Sequence, residues 1–184
     1  MNYVQLATKK IEELGLSINI LGKNKEEMPY SAAHCASANE IWINEEHIED
    51  ARKDFGYSNE EVIDIVLSHE IGHTQELDFN LKRKYVNSVM DHYVYLGEIP
   101  GVTYGRSLQI LMNEIEQVIE VVKESEMFAW HQGRKYVQKD NLEKYEEFNE
   151  KTLSMLMNFY NKAQEIIIDL DYERFQEEER KIGF

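Results

Sequence analysis

The sequence predicts an α+β fold rich in helix: a small N-terminal sheet of short strands packed on the helix that carries His69 and His73, followed by an all-helical C-terminal half. Three observations predict it. The 184 residues include only 9 Gly and 2 Pro, about half the roughly 12% usual for the two together, so turns are few and helices long. Alternating β-branched segments are confined to the N-terminal part. From about residue 105 onward the chain reads as helix throughout.

Residues 2 to 14 carry Val4, Ile11 and Leu14 among good helix formers, and Gly15 follows as a C-cap. Leu16, Ile18, Ile20 and Leu21 then read as a strand, and the stretch through Pro29 as a loop. Apolar residues return from Ala32 to Ala38, and Glu40-Ile41-Trp42-Ile43-Asn44 alternates, which suits two further strands, as a hairpin, completing a small sheet. Asn44 is a suitable N-cap for a short helix with Ile48 and Ala51, ending at Gly56. Ser58 and Glu61 form a capping box that opens a strong helix. On it Val62, Val66, His69 and His73 share one stripe, expected to face inward. A helical segment follows from about 82 to 96, ended by Gly97, Pro100 and Gly101. Ser107 is placed to cap a long helix to about 137, and Asp140 or Asn141 another to about 180. With no repeat and no linker, one domain over 1–184 is expected, with 80–106 as a helical insertion and 140–184 as a C-terminal helical extension.

The charge balance sets aside several function classes. Twenty Lys and Arg against 35 Asp and Glu give a net charge of -15, so a phosphate backbone is repelled over most of the surface and no nucleic-acid partner is expected. Lys82, Arg83 and Lys84 make the one compact basic run, which reads as a solvated turn. No stretch approaches the ~20 apolar residues of a membrane span, so no membrane partner is expected. The N-terminus lacks a signal-peptide layout, and the single Cys35 offers no internal disulfide, so a cytoplasmic location is expected. The sequence leaves the oligomeric state open.

The informative residues are His69-Glu70-Ile71-Gly72-His73. On a helix, histidines four apart sit one turn above each other, so both imidazoles can reach one zinc ion, and Glu70 is left beside its open position. Such a match arises by chance in about one chain of this length in a hundred. Here it lies on a capped, periodic helix with both histidines on the inward stripe, as the chemistry requires. The bland alternative is a pair of core histidines satisfied by hydrogen bonds.

A catalytic zinc takes three protein ligands. A third histidine in a Gly-x-x-His extension is excluded, because Glu76 and Phe79 stand at those positions. The other common source is a glutamate on a later helix, where Glu114, Glu116, Glu120, Glu124 and Glu126 are available. Leu111, Ile115, Val118, Val122 and Ala129 define the buried stripe of that helix. Helical phase puts Glu126 inside it, Glu114 at its margin, and Glu116, Glu120 and Glu124 away from it. A core-facing glutamate is costly unless paired or bound to metal, so Glu126 either joins the histidines or partners a buried Arg or Tyr.

His69 to His73, with Gly72 before the second histidine, and Glu126-Met127-Phe128-Ala129 on a later helix resemble the gluzincin metallopeptidases, whose third ligand sits in a Glu-x-x-Ala pattern. The order of the strand Ile41-Trp42-Ile43-Asn44, a helix and the motif helix is similar to the small ImmA/IrrE-type intracellular peptidases. The resemblance covers roughly residues 32 to 80 and 107 to 137. It implies a zincin-like fold, Zn2+ as cofactor, His69, His73 and Glu126 as its ligands, and Glu70 as the catalytic base.

The expected activity is that of a zinc-dependent metallopeptidase acting on a protein or peptide substrate inside the cell, with Glu70 as general base towards a zinc-activated water. The strand at 41–43 is a candidate edge for an extended substrate. His92, Tyr93, Tyr95, His131 and Tyr136 are available as oxyanion donors, and no pattern selects among them. The alternatives are a catalytically inactive zinc-binding module and a helical protein-interaction module. Retention of Glu70 favours the enzyme, since a structural zinc site needs no base.

Overall fold

Asn2 opens α1 (Tyr3–Glu13) with a reciprocal cap: its side chain accepts from the Gln5 amide, while its own N–H donates to the Gln5 side chain. This is a computed structural model that describes the backbone of residues 2–28, 30–98 and 105–182. It describes their side chains apart from 92–98, 105–109, 111, 167 and 170–182. Leu14 caps the end of α1, and Gly15 follows at φ 65°, a left-handed turn that glycine takes without strain. The Leu16 amide still bonds back to Ile11, so the first strand begins later than the apolar pattern suggests. It is β1, Asn19–Lys23.

The hairpin expected between 32 and 44 is present as β2 (Ala32–Cys35) and β3 (Glu40–Asn44), paired antiparallel. β1 joins the other side of β3 in parallel, giving the order β1-β3-β2. The segment 41–43 is therefore not an edge. It is the central strand, with its backbone bonded on both sides, and the edges are β1 and β2. Ile41 and Ile43 turn to the core face, and Trp42 between them turns outward over Lys23, as the period of two requires.

Asn44 ends β3 and caps α2 (Glu45–Phe55), accepting from the amides of Glu46 and His47. Gly56 closes that helix at φ 69°. The Ser58–Glu61 capping box starts α3 (Asn59–His73). The inward stripe is only part of its burial. Asp64, Ser68 and Ile71 are buried as well, because α1, α2, β2 and the 3-10 turn Lys139–Asn141 all pack on this helix. Its polar side is satisfied by one residue of α1. Lys10 donates to the Asp64 carboxylate, to the Asp64 carbonyl at 2.9 Å and to Ser68 Oγ at 2.7 Å. Asp64 also accepts from the Gln138 amide (3.0 Å) and Asn141 Nδ2 (2.8 Å), which ties the chain entering α6 to α3.

The helical segment expected near 82–96 is α4, Phe79–Glu98, which runs through Gly97; Pro100 and Gly101 lie outside the described residues. α5 spans Gly105–Gly133, so Ser107 stands inside the helix rather than at its cap, and the helix stops short of 137. α6 runs from Leu142 to Ile182. The described residues thus form a helix-rich α+β chain of six α-helices and one three-stranded sheet. The chain divides into two compact units, 1–80 with 125–151 and 81–124 with 152–184, and α5 and α6 contribute to both. The first is built around Ile41, Ile43, Ile48, Val62 and Ile65, each fully buried side chain worth about 1.5–3 kcal/mol. The second is built around Val89, Ile115, Val118 and Tyr160. Among the described residues no helix is long and apolar enough to cross a membrane.

Candidate metal centre

The last turn of α3 presents His69 and His73 side by side, ring centroids 4.9 Å apart and nearly edge-on at 79°. α5 brings Glu126 to them, and small residues make this possible. A Cβ on Gly72 would stand 2.8 Å from the Ala129 carbonyl carbon, and one on Gly133 would stand 2.9 Å from the Ser68 carbonyl carbon. The two backbones therefore meet without side chains between them over more than a helical turn. Glu126, three residues before Ala129, is carried onto the histidine face.

Glu126 Oε2 lies 3.0 Å from His69 Nε2, and Oε1 lies 3.6 Å from His73 Nε2. One ligand atom from each residue can be chosen so that all lie within 4.8 Å of one another. Bonds of ~2.0–2.1 Å to a tetrahedral zinc would set neighbouring ligand atoms roughly 3.3 Å apart, and the three groups are close enough for small adjustments to bring them around one ion. The other glutamates of α5 are not grouped with the pair: Glu116, Glu120 and Glu124 are exposed, as helical phase predicts, and Glu114, at the margin of the stripe, is half-buried. Glu126 is not the partner of a buried Arg or Tyr; its carboxylate spans the two imidazoles.

His69 is held from behind by a hydrogen bond, and a carboxylate stands behind His73 beyond hydrogen-bond distance. His69 Nδ1 is 2.6 Å from Asn149 Oδ1, on α6. His73 Nδ1 is 3.6 Å from Glu76 Oε2, which itself accepts from Ser125 Oγ at 2.6 Å. The Phe79 ring lies against His73, 4.9 Å between centroids, and against His34 of β2 at 5.2 Å. Glu70 is buried beside the pair, where the His34 backbone N–H favours its charged form.

The electrostatics favour a cation here. Burial pulls the His73 imidazole down, yet the carboxylates of Glu126, Glu76 and Glu70 outweigh it and push His73 up to about 10. Burial raises Glu126, but its bonds to His69 and His73 dominate and hold the carboxyl well below the usual range. Burial pushes Glu70 up, against the pull of the two histidines. The carboxylates of Glu126 and Glu76 beside the two imidazoles, with Glu70 next to them, make a donor set that suits a divalent ion.

Sequence reasoning named His69, Glu70, His73 and Glu126, and the structure brings these four together in the first unit. It missed the partners behind the imidazoles. Glu76 was visible only as a departure from another motif, although its place three residues after His73 on a helical path puts it within reach. Asn149 carried a fainter signal, a polar residue in the stripe Asn141, Tyr145, Asn149, all buried. Among the oxyanion candidates, His131 is exposed and Tyr136 is half-buried with its hydroxyl accepting from Gln75 Nε2. The side chains of His92, Tyr93 and Tyr95 lie outside the described residues. Compared with protein-family models, with curated proteins and with solved structures, the chain matches none.

Proposed function

We propose that this chain is a zinc-dependent metallopeptidase with a zincin-like fold, of the gluzincin kind, that hydrolyses peptide bonds in a protein or peptide substrate. The observation that carries the reading is the convergence of His69 Nε2, His73 Nε2 and the Glu126 carboxylate beside a buried Glu70. His69, His73 and Glu126 would hold Zn2+. When bound, the ion supplies a Lewis acid for the scissile carbonyl and lowers the pKa of water towards 7. Glu70 accepts the proton of the attacking water at its carboxylate and returns it to the nitrogen of the leaving amine.

The substrate strand is assigned to β2 rather than β3. Asn44 N–H bonds to Ser31 C=O at 3.0 Å, and in this antiparallel phase the N–H and C=O of Ala32 and His34 turn away from β3. An extended peptide added along that edge lies near Glu70, whose charged form the His34 backbone N–H favours.

The test is the zinc content of untagged protein purified without chelators, read by elemental mass spectrometry, with Glu126→Ala alongside. About one zinc per chain, weakened in the variant, supports the centre, and peptide cleavage lost in Glu70→Gln with zinc retained supports the activity. No zinc after addition and dialysis overturns both, and zinc without cleavage leaves a binding module.

A further inference from the structure

Asn149 is 4% exposed, and both ends of its amide are engaged. Nδ2 donates to the Tyr145 carbonyl, one turn back on α6, at 2.7 Å. A carbonyl only accepts, so the NH2 end of the amide is fixed there and Oδ1 is the end that meets His69 Nδ1 at 2.6 Å. An amide oxygen also only accepts, so the proton of that bond belongs to His69 Nδ1. In the neutral imidazole the lone pair then sits on Nε2, which faces Glu126 Oε2 across 3.0 Å. Two lone-pair atoms at that distance repel, so either a proton on Nε2 or a cation lies between them.

The lock extends further. The Tyr145 side chain is fully buried and its hydroxyl donates to the Trp130 carbonyl at 2.9 Å. Trp130 stands one turn beyond Glu126 on α5. One hydrogen-bonded path thus joins the helix that carries Glu126, the start of α6 and the first histidine of α3.

Resting on the metallopeptidase reading, we infer that Asn149 is the positioning residue of the metal centre, holding His69 as the Nδ1–H tautomer with Nε2 aimed at the ion. The two rings differ: Asn149 hydrogen-bonds His69, while the Glu76 carboxylate stands 3.6 Å from His73 Nδ1 and acts on it through charge. A neutral acceptor orients the ring without adding another negative charge to a site that already holds the carboxylates of Glu126 and Glu76.

The experiment measures Zn2+ affinity by competition with a chromophoric chelator in wild type, Asn149→Leu and Asn149→Asp, with thermal melts of the zinc-free proteins as the folding control. Imidazole 15N NMR reads the His69 tautomer. Asn149→Leu is expected to bind Zn2+ about 10–100-fold more weakly and to lose the fixed Nδ1–H signal of His69. Asn149→Asp, which keeps the acceptor, is expected to bind within a few-fold of wild type. Wild-type affinity in Asn149→Leu, or an Asp variant as weak as the Leu variant, overturns the inference alone. A wild-type chain that takes up no Zn2+ overturns the metallopeptidase reading and this inference with it.

Discussion

Gly72 and Ala129 touch backbone to backbone: any Cβ at Gly72 would fall 2.8 Å from the Ala129 carbonyl carbon, and nearer still to its oxygen. The residue between the two halves of the histidine motif is thus what lets α5 come close enough for Glu126 to reach both imidazoles. Gly72→Ala sets two effects against each other. The helix gains up to about 1 kcal/mol in propensity, but the new methyl meets backbone that cannot rotate away, a cost of typically about 1–3 kcal/mol. The clash wins. The variant is expected to melt lower in urea and to bind Zn2+ more weakly, and unchanged affinity would show that α5 has slack at this crossing.

Glu70→Gln keeps the shape of the side chain and removes its ability to take a proton. Zinc content and stability are expected to stay at wild-type values, while the rate of peptide cleavage falls about 10²–10⁴-fold. A variant that retains most of its rate would require another base.

Removing the metal is expected to destabilise the first unit, because the ligand atoms belong to the folded arrangement of α3 and α5. At 100 times its dissociation constant, zinc adds about 2.7 kcal/mol. Melting temperature should fall on chelation and recover on adding zinc, with Glu126→Ala insensitive to both treatments.

Lys10 is nearly buried between Asp64 and Ser68. Lys10→Met leaves the Asp64 carboxylate inside without its cation, and loss of one partner of a buried pair costs about 3–5 kcal/mol. Urea unfolding should show this loss. A change below about 1 kcal/mol would mean that the Gln138 and Asn141 donors suffice for Asp64.

Alkaline pH should unfold the protein through its buried phenols. Burial pushes Tyr57 up to about 12, with Glu147 and Glu61 adding to it; burial and the Glu49 carboxylate do the same for Tyr3, and burial raises Tyr145 further. In the unfolded chain these groups lose their protons near pH 10. Their stabilisation is therefore complete below pH 10 and is lost as pH rises from 10 towards 12 and beyond. Tyr57→Phe should fall less steeply than wild type over that range, and parallel curves would contradict the assignment.

Much of the first unit was legible because its signals are local. Asn44 and Gly56 bracket α2, and the Ser58–Glu61 box starts α3. Each is a side chain acting within a few residues of itself. The β2–β3 hairpin was legible, but the place of β3 in the sheet was not. Ile41 and Ile43 show alternation, but alternation says nothing about how many neighbours a strand has, and β3 proved central because β1 pairs with it from a distant part of the sequence. Ser107 failed as a cap for a related reason, since the start of α5 lies ahead of it.

The sequence by itself determined that His69 and His73 share one helical face with Glu70 beside them, and that among the glutamates of α5 Glu126 is the one in phase with the buried stripe. Both follow from the helical period, which relates neighbours four residues apart whatever the rest of the chain does. Only the tertiary structure decided that this stripe of α5 meets this face of α3, through Gly72, Ala129 and Gly133, and that Asn149, 80 residues from His69, stands behind its ring. Those contacts depend on close backbone approach and on the direction of a distant helix, and no period in the sequence encodes either.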